Sequence, residues 1–198
     1  MLKPFDLQAL SIFLCIKVAL VTDPCCGTGT ILIEAAIKAA ARPAGIDRSF
    51  VCEEFPFMKD VPMAAIRQAE RDKIPTERSF SIAGSDIDPE ALELCRRHIH
   101  QAGFDGQISV RQQDLRTLQV PDEPGVFLCN PPYGERLGDK REAEALYREM
   151  GLLLKRHPGW KLCAITSDFA FERCFGRRAT HKRRLYNGRL ECEFYIFE

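Results

Sequence analysis

The turn Asp23-Pro24-Cys25-Cys26-Gly27-Thr28-Gly29-Thr30 constrains this chain more than any other feature, because it closes an apolar strand-like run at 18–23 and opens a helix-like run at 30–41. A strand that passes into a helix through two closely spaced glycines presents backbone N–H groups at its carboxyl end, where α/β sheets bind nucleotide-like ligands. The glycines let the backbone approach such a ligand closely. A dinucleotide fingerprint asks for a third glycine, yet Leu32 stands there. The next strand-end acid also comes far later than the roughly 20 residues that fingerprint expects.

Periodicity extends this first unit along the chain. Strand-like runs at 80–86, 107–114, 126–130 and 161–166 alternate with helix-like runs at 62–73, 89–102 and 142–156. That alternation predicts an α/β layered fold with a mainly parallel sheet and helices on both faces. Asp88 followed by Pro89 reads as an N-cap with proline at the first helical position. The last segment differs. Residues 180–186 and 189–197 are β-rich and separated by Asn187-Gly188, a strong hairpin signal, so the sheet is expected to finish with an antiparallel pair. Residues 42–60, with Pro43, Gly45 and Phe55-Pro56-Phe57, read as a long loop inserted between the first helix and the second strand.

The 198 residues fit one domain with a sizeable core, so 1–198 is read as a single unit with an atypical lead-in at 1–22. Lys plus Arg and Asp plus Glu both number 28, so no bulk charge marks the chain as a nucleic-acid binder. Any RNA contact is expected from a local patch or a separate module. The nine cysteines include Cys15, Cys129, Cys163 and Cys192, set singly in apolar runs as small hydrophobes, which favours a reducing cytoplasm. The apolar stretch at 9–21 is interrupted by Lys17 and too short to span a bilayer, so no membrane association is expected.

The second strand ends at Gly84-Ser85-Asp86-Ile87-Asp88, where the Asp86 carboxylate can accept both hydroxyls of a ribose. Capping of the following helix is the simpler reading of Asp88, and it competes for Asp86. Asp114 closes the third strand, where it can accept the amino protons of an adenine; taken alone, it reads first as a solvated carboxylate.

Asn130-Pro131-Pro132-Tyr133 follows the apolar fourth strand. An exocyclic amine on a base is a poor nucleophile, because its lone pair is delocalised into the ring. The side-chain oxygen of Asn130 and the carbonyl of Pro131 can accept its two protons and aim the lone pair at an activated sulfonium methyl. Prolines 131 and 132 fix φ, and the Tyr133 ring can stack on an unstacked base. In-line displacement from a sulfonium needs no metal, and neither adjacent Cys25 and Cys26 nor His98 and His100 have ligand spacing. The cluster Arg177, Arg178, His181, Lys182, Arg183 and Arg184 can touch phosphates or simply face solvent. Lys140, Arg141 and Arg136 carry the same ambiguity, and Trp160 reads as packing.

These residues resemble Rossmann-like class I methyltransferases, specifically RNA guanine-N2 methyltransferases that usually carry an N-terminal THUMP domain. The likeness runs through residues 23–30 and the helix after them. Arg48-Ser49-Phe50, Asn130 to Leu137 and Leu185 to Cys192 resemble the branch acting on large-subunit ribosomal RNA. The resemblance implies a seven-stranded sheet, S-adenosylmethionine as methyl donor and N2-methylguanine as product. It implies catalysis by Asn130, Pro131, Pro132 and Tyr133, with Asp86 on the ribose, Asp114 on the adenine, and Gly27 and Gly29 beside the methionine moiety. Asp23, Cys25, Thr28, Thr30, Ile87, Leu115 and Asn130 complete the expected cofactor contacts. RNA is the implied partner, and an RNA-binding domain is not expected within these 198 residues. The same amine-holding loop also serves tRNA guanine-N2, DNA adenine-N6 and protein-glutamine methyltransferases. A non-catalytic cofactor-binding or scaffolding module is the reading from a different class.

Overall fold

The computed structural model describes residues 20–43, 45–75, 80–134, 139–187 and 190–198. Strands β1 (Leu20–Asp23), β2 (Ser81–Asp86), β3 (Ile108–Gln112), β4 (Val126–Cys129), β5 (Lys161–Thr166), β6 (His181–Asn187) and β7 (Leu190–Phe197) form one sheet in the order β3-β2-β1-β4-β5-β7-β6. β1 to β5 run parallel to one another; β7 runs antiparallel to both β5 and β6. The helices are α1 (Thr30–Ala39), α2 (Met63–Arg71), α3 (Pro89–Ala102), α4 (Asp139–Arg156) and α5 (Phe171–Phe175). This is the expected layered architecture.

Central strands buried on both faces explain why the sequence there is almost continuously apolar. Phe127 and Cys129 of β4 point into a core with Tyr147, Met150 and Leu153 of α4, Phe171 of α5, and Tyr195 and Phe197 of β7. Their strand neighbours Val126 and Leu128 point the other way, against Cys163, Ile165, Phe194 and Ile31 of α1. A third cluster joins α1 and α3 to β2 and β3 through Leu32, Ala36, Leu92, Cys95, Ile82 and Ile108. Cys129, Cys163 and Cys192 are buried core residues as expected; Cys15 lies outside the described residues. Trp160 stacks on Phe127 with ring centroids 4.5 Å apart and donates to the Pro121 carbonyl, a packing residue indeed.

Several boundaries move for identifiable reasons. Helix α1 stops at Ala39, and Ala41 takes a positive φ of 51° where the longer helix was expected. β3 ends at Gln112, because Asp114 caps a 3-10 turn over Leu115–Thr117 instead of extending the strand. α4 begins at Asp139, earlier than its apolar pattern suggests. β6 and β7 pair out to Asn187 opposite Leu190, so the connection is at 188–189, one residue later than expected, and lies outside the described residues. The short helix α5 was not expected.

Within the long insertion the chain forms two 3-10 turns, Val51–Glu54 and Pro56–Met58, and α2 buries none of its residues. Arg42 ties the segment back to the domain by donating to the Ala102 carbonyl. Among the described residues no helix is long and apolar enough to cross a membrane.

Candidate active site

The carboxyl ends of β1, β2 and β4 converge on the glycine turn. Asp23, 1% exposed, ends β1 and accepts the Cys25 N–H at 3.0 Å. The turn is then fastened to the end of β2 by two bonds: Cys26 N–H donates to the Ser85 carbonyl at 3.0 Å, and Gly27 N–H donates to Asp86 Oδ2 at 2.8 Å. Gly29 closes the turn on the Cys26 carbonyl at 2.8 Å and serves as N-cap of α1 with φ 85°. Thr30 opens that helix. His98 of α3 donates its Nδ1–H to the Thr28 carbonyl at 3.0 Å, a support that a search for metal ligands passes over.

Two glycines here are required by close packing. A Cβ on Gly29 would lie 2.5 Å from Cys95 Sγ, and one on Gly84 would lie 2.5 Å from Leu32 Cδ1. Gly27, at φ 50°, is different, since a Cβ there would meet nothing within 4 Å. The space beside Gly27 is open, which leaves its backbone accessible to a ligand.

The electrostatics are one-signed. Burial holds the Asp23 carboxyl well above the usual carboxylate range, and the neighbouring charge of Asp86 adds to the effect against the opposing Cys25 N–H. The Cys25 thiol is pushed up by burial and then by Asp23, Asp86 and Asp114 together, which places these three carboxylates around one turn. Asp86 Oδ1 also accepts the Asp88 N–H at 3.0 Å, so each of its oxygens holds one backbone donor and keeps a further lone pair. Asp88 caps α3 by accepting the Glu90 N–H at 2.9 Å, as expected for it. Asp114 accepts the Arg116 N–H at 2.9 Å and pairs with its guanidinium at 2.8 Å. A ring of carboxylates with an open glycine between them suits a cationic, nucleoside-like ligand such as S-adenosylmethionine.

Ile87 exposes 68% of its surface just beyond the end of β2. Leu115 is 3% exposed and belongs to the core beside α4, so it can offer a ligand only its backbone. Among the described residues no group of three or more His, Cys, Asp or Glu is placed to hold a metal ion.

At the end of β4, Asn130 is half-buried, Pro131 buried and Tyr133 half-buried. The Tyr133 hydroxyl donates to Asn130 Oδ1 at 2.5 Å. The expectation for these two side chains was an oxygen open to an amine and a ring open to a base, and the hydroxyl contact joins them directly. Tyr147, which the sequence did not mark, donates its hydroxyl to the Pro132 carbonyl at 2.8 Å. Of the basic residues, Lys182 pairs with Glu172 at 2.8 Å and Arg184 with Glu191 at 3.1 Å on the exposed edge strand β6. Arg136 lies outside the described residues.

Comparison with known proteins gives the same picture. The model of the RMKL-like methyltransferase domain family (UPF0020) matches residues 18–196. The chain is 36% identical over 176 residues to the putative RNA methyltransferase YpsC of Bacillus subtilis, covering 88% of this chain and 46% of that protein. It is 35% identical over 184 residues to the ribosomal RNA large subunit methyltransferase K/L of Methylococcus capsulatus, covering 89% of this chain and 24% of that one. A crystal structure of a putative methyltransferase, SMU.472, complexed with SAH superposes with a TM-score of 0.87 at 33% identity, over 96% of this chain and 51% of that one. The chain thus spans about half the length of the first relative and about a quarter of the second. With a β3-β2-β1-β4-β5-β7-β6 sheet, an acid-lined glycine turn and a family match over residues 18–196, this chain belongs to the RMKL-like methyltransferase domain family.

Proposed function

We propose that this domain transfers the methyl group of S-adenosylmethionine to the exocyclic N2 of a guanine in large-subunit (23S) ribosomal RNA. The observation that carries the reading is the position of Asn130 and Pro131, at the end of β4 beside the carboxylate-lined turn of β1 and β2. The names of the relatives, an RNA methyltransferase and ribosomal RNA large subunit methyltransferases, supply the substrate class. Because those proteins are two to four times longer, their whole activity carries over only as this proposal.

S-adenosylmethionine supplies a methyl group already activated on a sulfonium. The remaining work falls to the chain. The free lone pairs of Asp86 would accept the ribose hydroxyls and Asp114 the adenine amine, with Ile87 and the Leu115 backbone contributing beside them. Gly27 and Gly29 would let the turn approach the methionine moiety, with Asp23, Cys25, Thr28 and Thr30 around it. The Asp86 and Asp114 carboxylates favour a cationic ligand over a neutral one.

Asn130 Oδ1 and the Pro131 carbonyl accept hydrogen bonds from the two N–H groups of the target amine, which turns its lone pair towards the methyl carbon; as the N–C bond forms the C–S bond breaks to leave the neutral thioether, and one N–H proton is lost to water. Tyr133 stacks on the base. For the base to bind, its amine takes the place of the Tyr133 hydroxyl on Asn130.

Transfer of a labelled methyl to unmodified large-subunit ribosomal RNA, with tRNA, DNA and protein in parallel, followed by nucleoside identification, tests the reading. N2-methylguanine from ribosomal RNA supports it. N6-methyladenine, methylglutamine, or modification of tRNA alone replaces the substrate with one of the alternatives that use the same loop. Methyl transfer that survives Asn130→Ala removes the mechanism.

A further inference from the structure

The amine-holding loop has an unusual anchoring problem. Pro131 and Pro132 carry no N–H, so at these two positions the carbonyls are the backbone handles. The carbonyl of Pro131 is the one proposed above to receive the amine. That leaves the carbonyl of Pro132, which accepts the Tyr147 hydroxyl at 2.8 Å.

Tyr147 is itself held on every side. It is 0% exposed in the middle of α4, and its ring meets Phe171 of α5 edge-on, with centroids 4.8 Å apart. Thr166, at the end of β5, and Asp168, just beyond it, lie beside the hydroxyl. Asp168 Oδ1 accepts the Ala170 N–H at 2.9 Å, whereas its Oδ2 is buried and has no hydrogen-bond partner. A buried carboxylate oxygen in that position disfavours any negative charge on the tyrosine. Burial, helped by Asp168 and opposed by Thr166, pushes the Tyr147 hydroxyl up to about 12, so it stays protonated and donates.

We infer that Tyr147 is the positioning residue of the methyl-transfer reaction, holding the Pro132 carbonyl, and with it Asn130 and Tyr133, in the geometry that receives the target amine. The inference rests on the role proposed for Asn130 and Pro131. It adds α4, and through Asp168 the end of β5, to the parts of the fold that set the reaction geometry. Tyr147 touches neither substrate nor cofactor; it acts through the loop.

Tyr147→Phe removes one oxygen and keeps the ring. Misplacing a reacting group by about 1 Å costs on the order of 100-fold, so kcat for methyl transfer is expected to fall by roughly 10- to 100-fold, with KM for S-adenosylmethionine unchanged. In the same variant, amide hydrogen exchange at Tyr133 and Gly134 should speed up while the β4 amides keep their protection. Phe171→Leu serves as the control, since it loosens the packing around the same ring and leaves the hydroxyl in place. A kcat loss in Phe171→Leu equal to that in Tyr147→Phe would reduce Tyr147 to a structural residue and overturn the inference. Wild-type kcat and wild-type exchange in Tyr147→Phe would do the same.

If the unmutated chain methylates no RNA, the proposed substrate fails, and the exchange comparison still decides whether Tyr147 anchors the loop. In the unmutated chain the Tyr147 hydroxyl proton should also exchange slowly enough to be seen by NMR. A hydroxyl in free exchange with solvent would overturn the anchoring even if the phenylalanine variant did not fold.

Discussion

The hydroxyl of Tyr133 donates to Asn130 Oδ1 at 2.5 Å, three residues back along the same loop. One acceptor site of the Asn130 oxygen is therefore already engaged by a neighbour that carries its own aromatic face.

Tyr133→Phe and Tyr133→Ala should accordingly separate two effects. The phenylalanine variant keeps the ring and releases the Asn130 oxygen, so its kcat/KM for RNA should stay within a few-fold of wild type or rise. The alanine variant loses the stacking surface and should fall by roughly 10- to 100-fold, in line with about 1–3 kcal/mol per stacked base. Steady-state kinetics on one RNA would read both, and equal losses in the two variants would count against stacking.

Gly27 and Gly29 both have positive φ but should respond differently to alanine. Each substitution carries about 1–2 kcal/mol of left-handed backbone strain. At Gly29 the new Cβ also lies 2.5 Å from Cys95 Sγ, so Gly29→Ala should be clearly less stable than Gly27→Ala in denaturant unfolding. Cys95→Ala in the same chain should recover the steric part of the loss and leave the strain. Gly27→Ala, with nothing within 4 Å, should instead weaken cofactor binding by calorimetry beyond its small effect on folding.

Asp23 gives a pH signature. Its carboxyl is held above the usual range by burial first and by the Asp86 charge as well, so the folded chain keeps a proton that the unfolded chain releases at lower pH. The contribution to stability is complete below the unfolded value and is lost as pH rises through the folded one. Melting temperature measured from about pH 4 to 8 should therefore fall less with rising pH in Asp23→Asn than in wild type. Parallel curves for the two chains would show that the buried carboxyl does not titrate in this window.

Alanine in a helix normally stabilises by about 1 kcal/mol relative to glycine. Gly151 of α4 should reverse that rule, because a Cβ there would sit 2.2 Å from the Phe175 carbonyl oxygen of α5. Gly151→Ala is expected to destabilise by roughly 1–3 kcal/mol, the usual cost of overpacking. Unfolding midpoints would show the sign directly.

What the sequence made legible follows physical periodicity and chain-local chemistry. Helix α3 can be read in full, since Asp88, Pro89 and Gly103 mark its two ends within the chain itself. β5 is equally clear, because an apolar run between polar flanks has one reading. The end of β3 is ambiguous in the sequence, because Asp114 can either extend a strand or cap a turn, and in the structure it caps one by accepting the Arg116 N–H. The glycine turn and the Asn130 loop were legible as motifs. Tyr147 and His98 were not, because they donate to carbonyls 15 and 70 positions away, and no local pattern marks an aromatic or a histidine that donates to a distant carbonyl.

The position of β7 has a consequence for the order in which the molecule can be built. Residues 190–197 do not decorate the sheet edge; they lie between β5 and β6, and Tyr195 and Phe197 seal the core beneath α4 and α5. During synthesis β5 therefore leaves the ribosome long before its second neighbour exists, and the helices above it wait for a floor. Two of the seven strands, β5 and β6, gain this neighbour only when residues 190–197 are made, so a nascent chain stalled before residue 190 should remain open to protease across α4 and α5 even though the glycine turn is already complete.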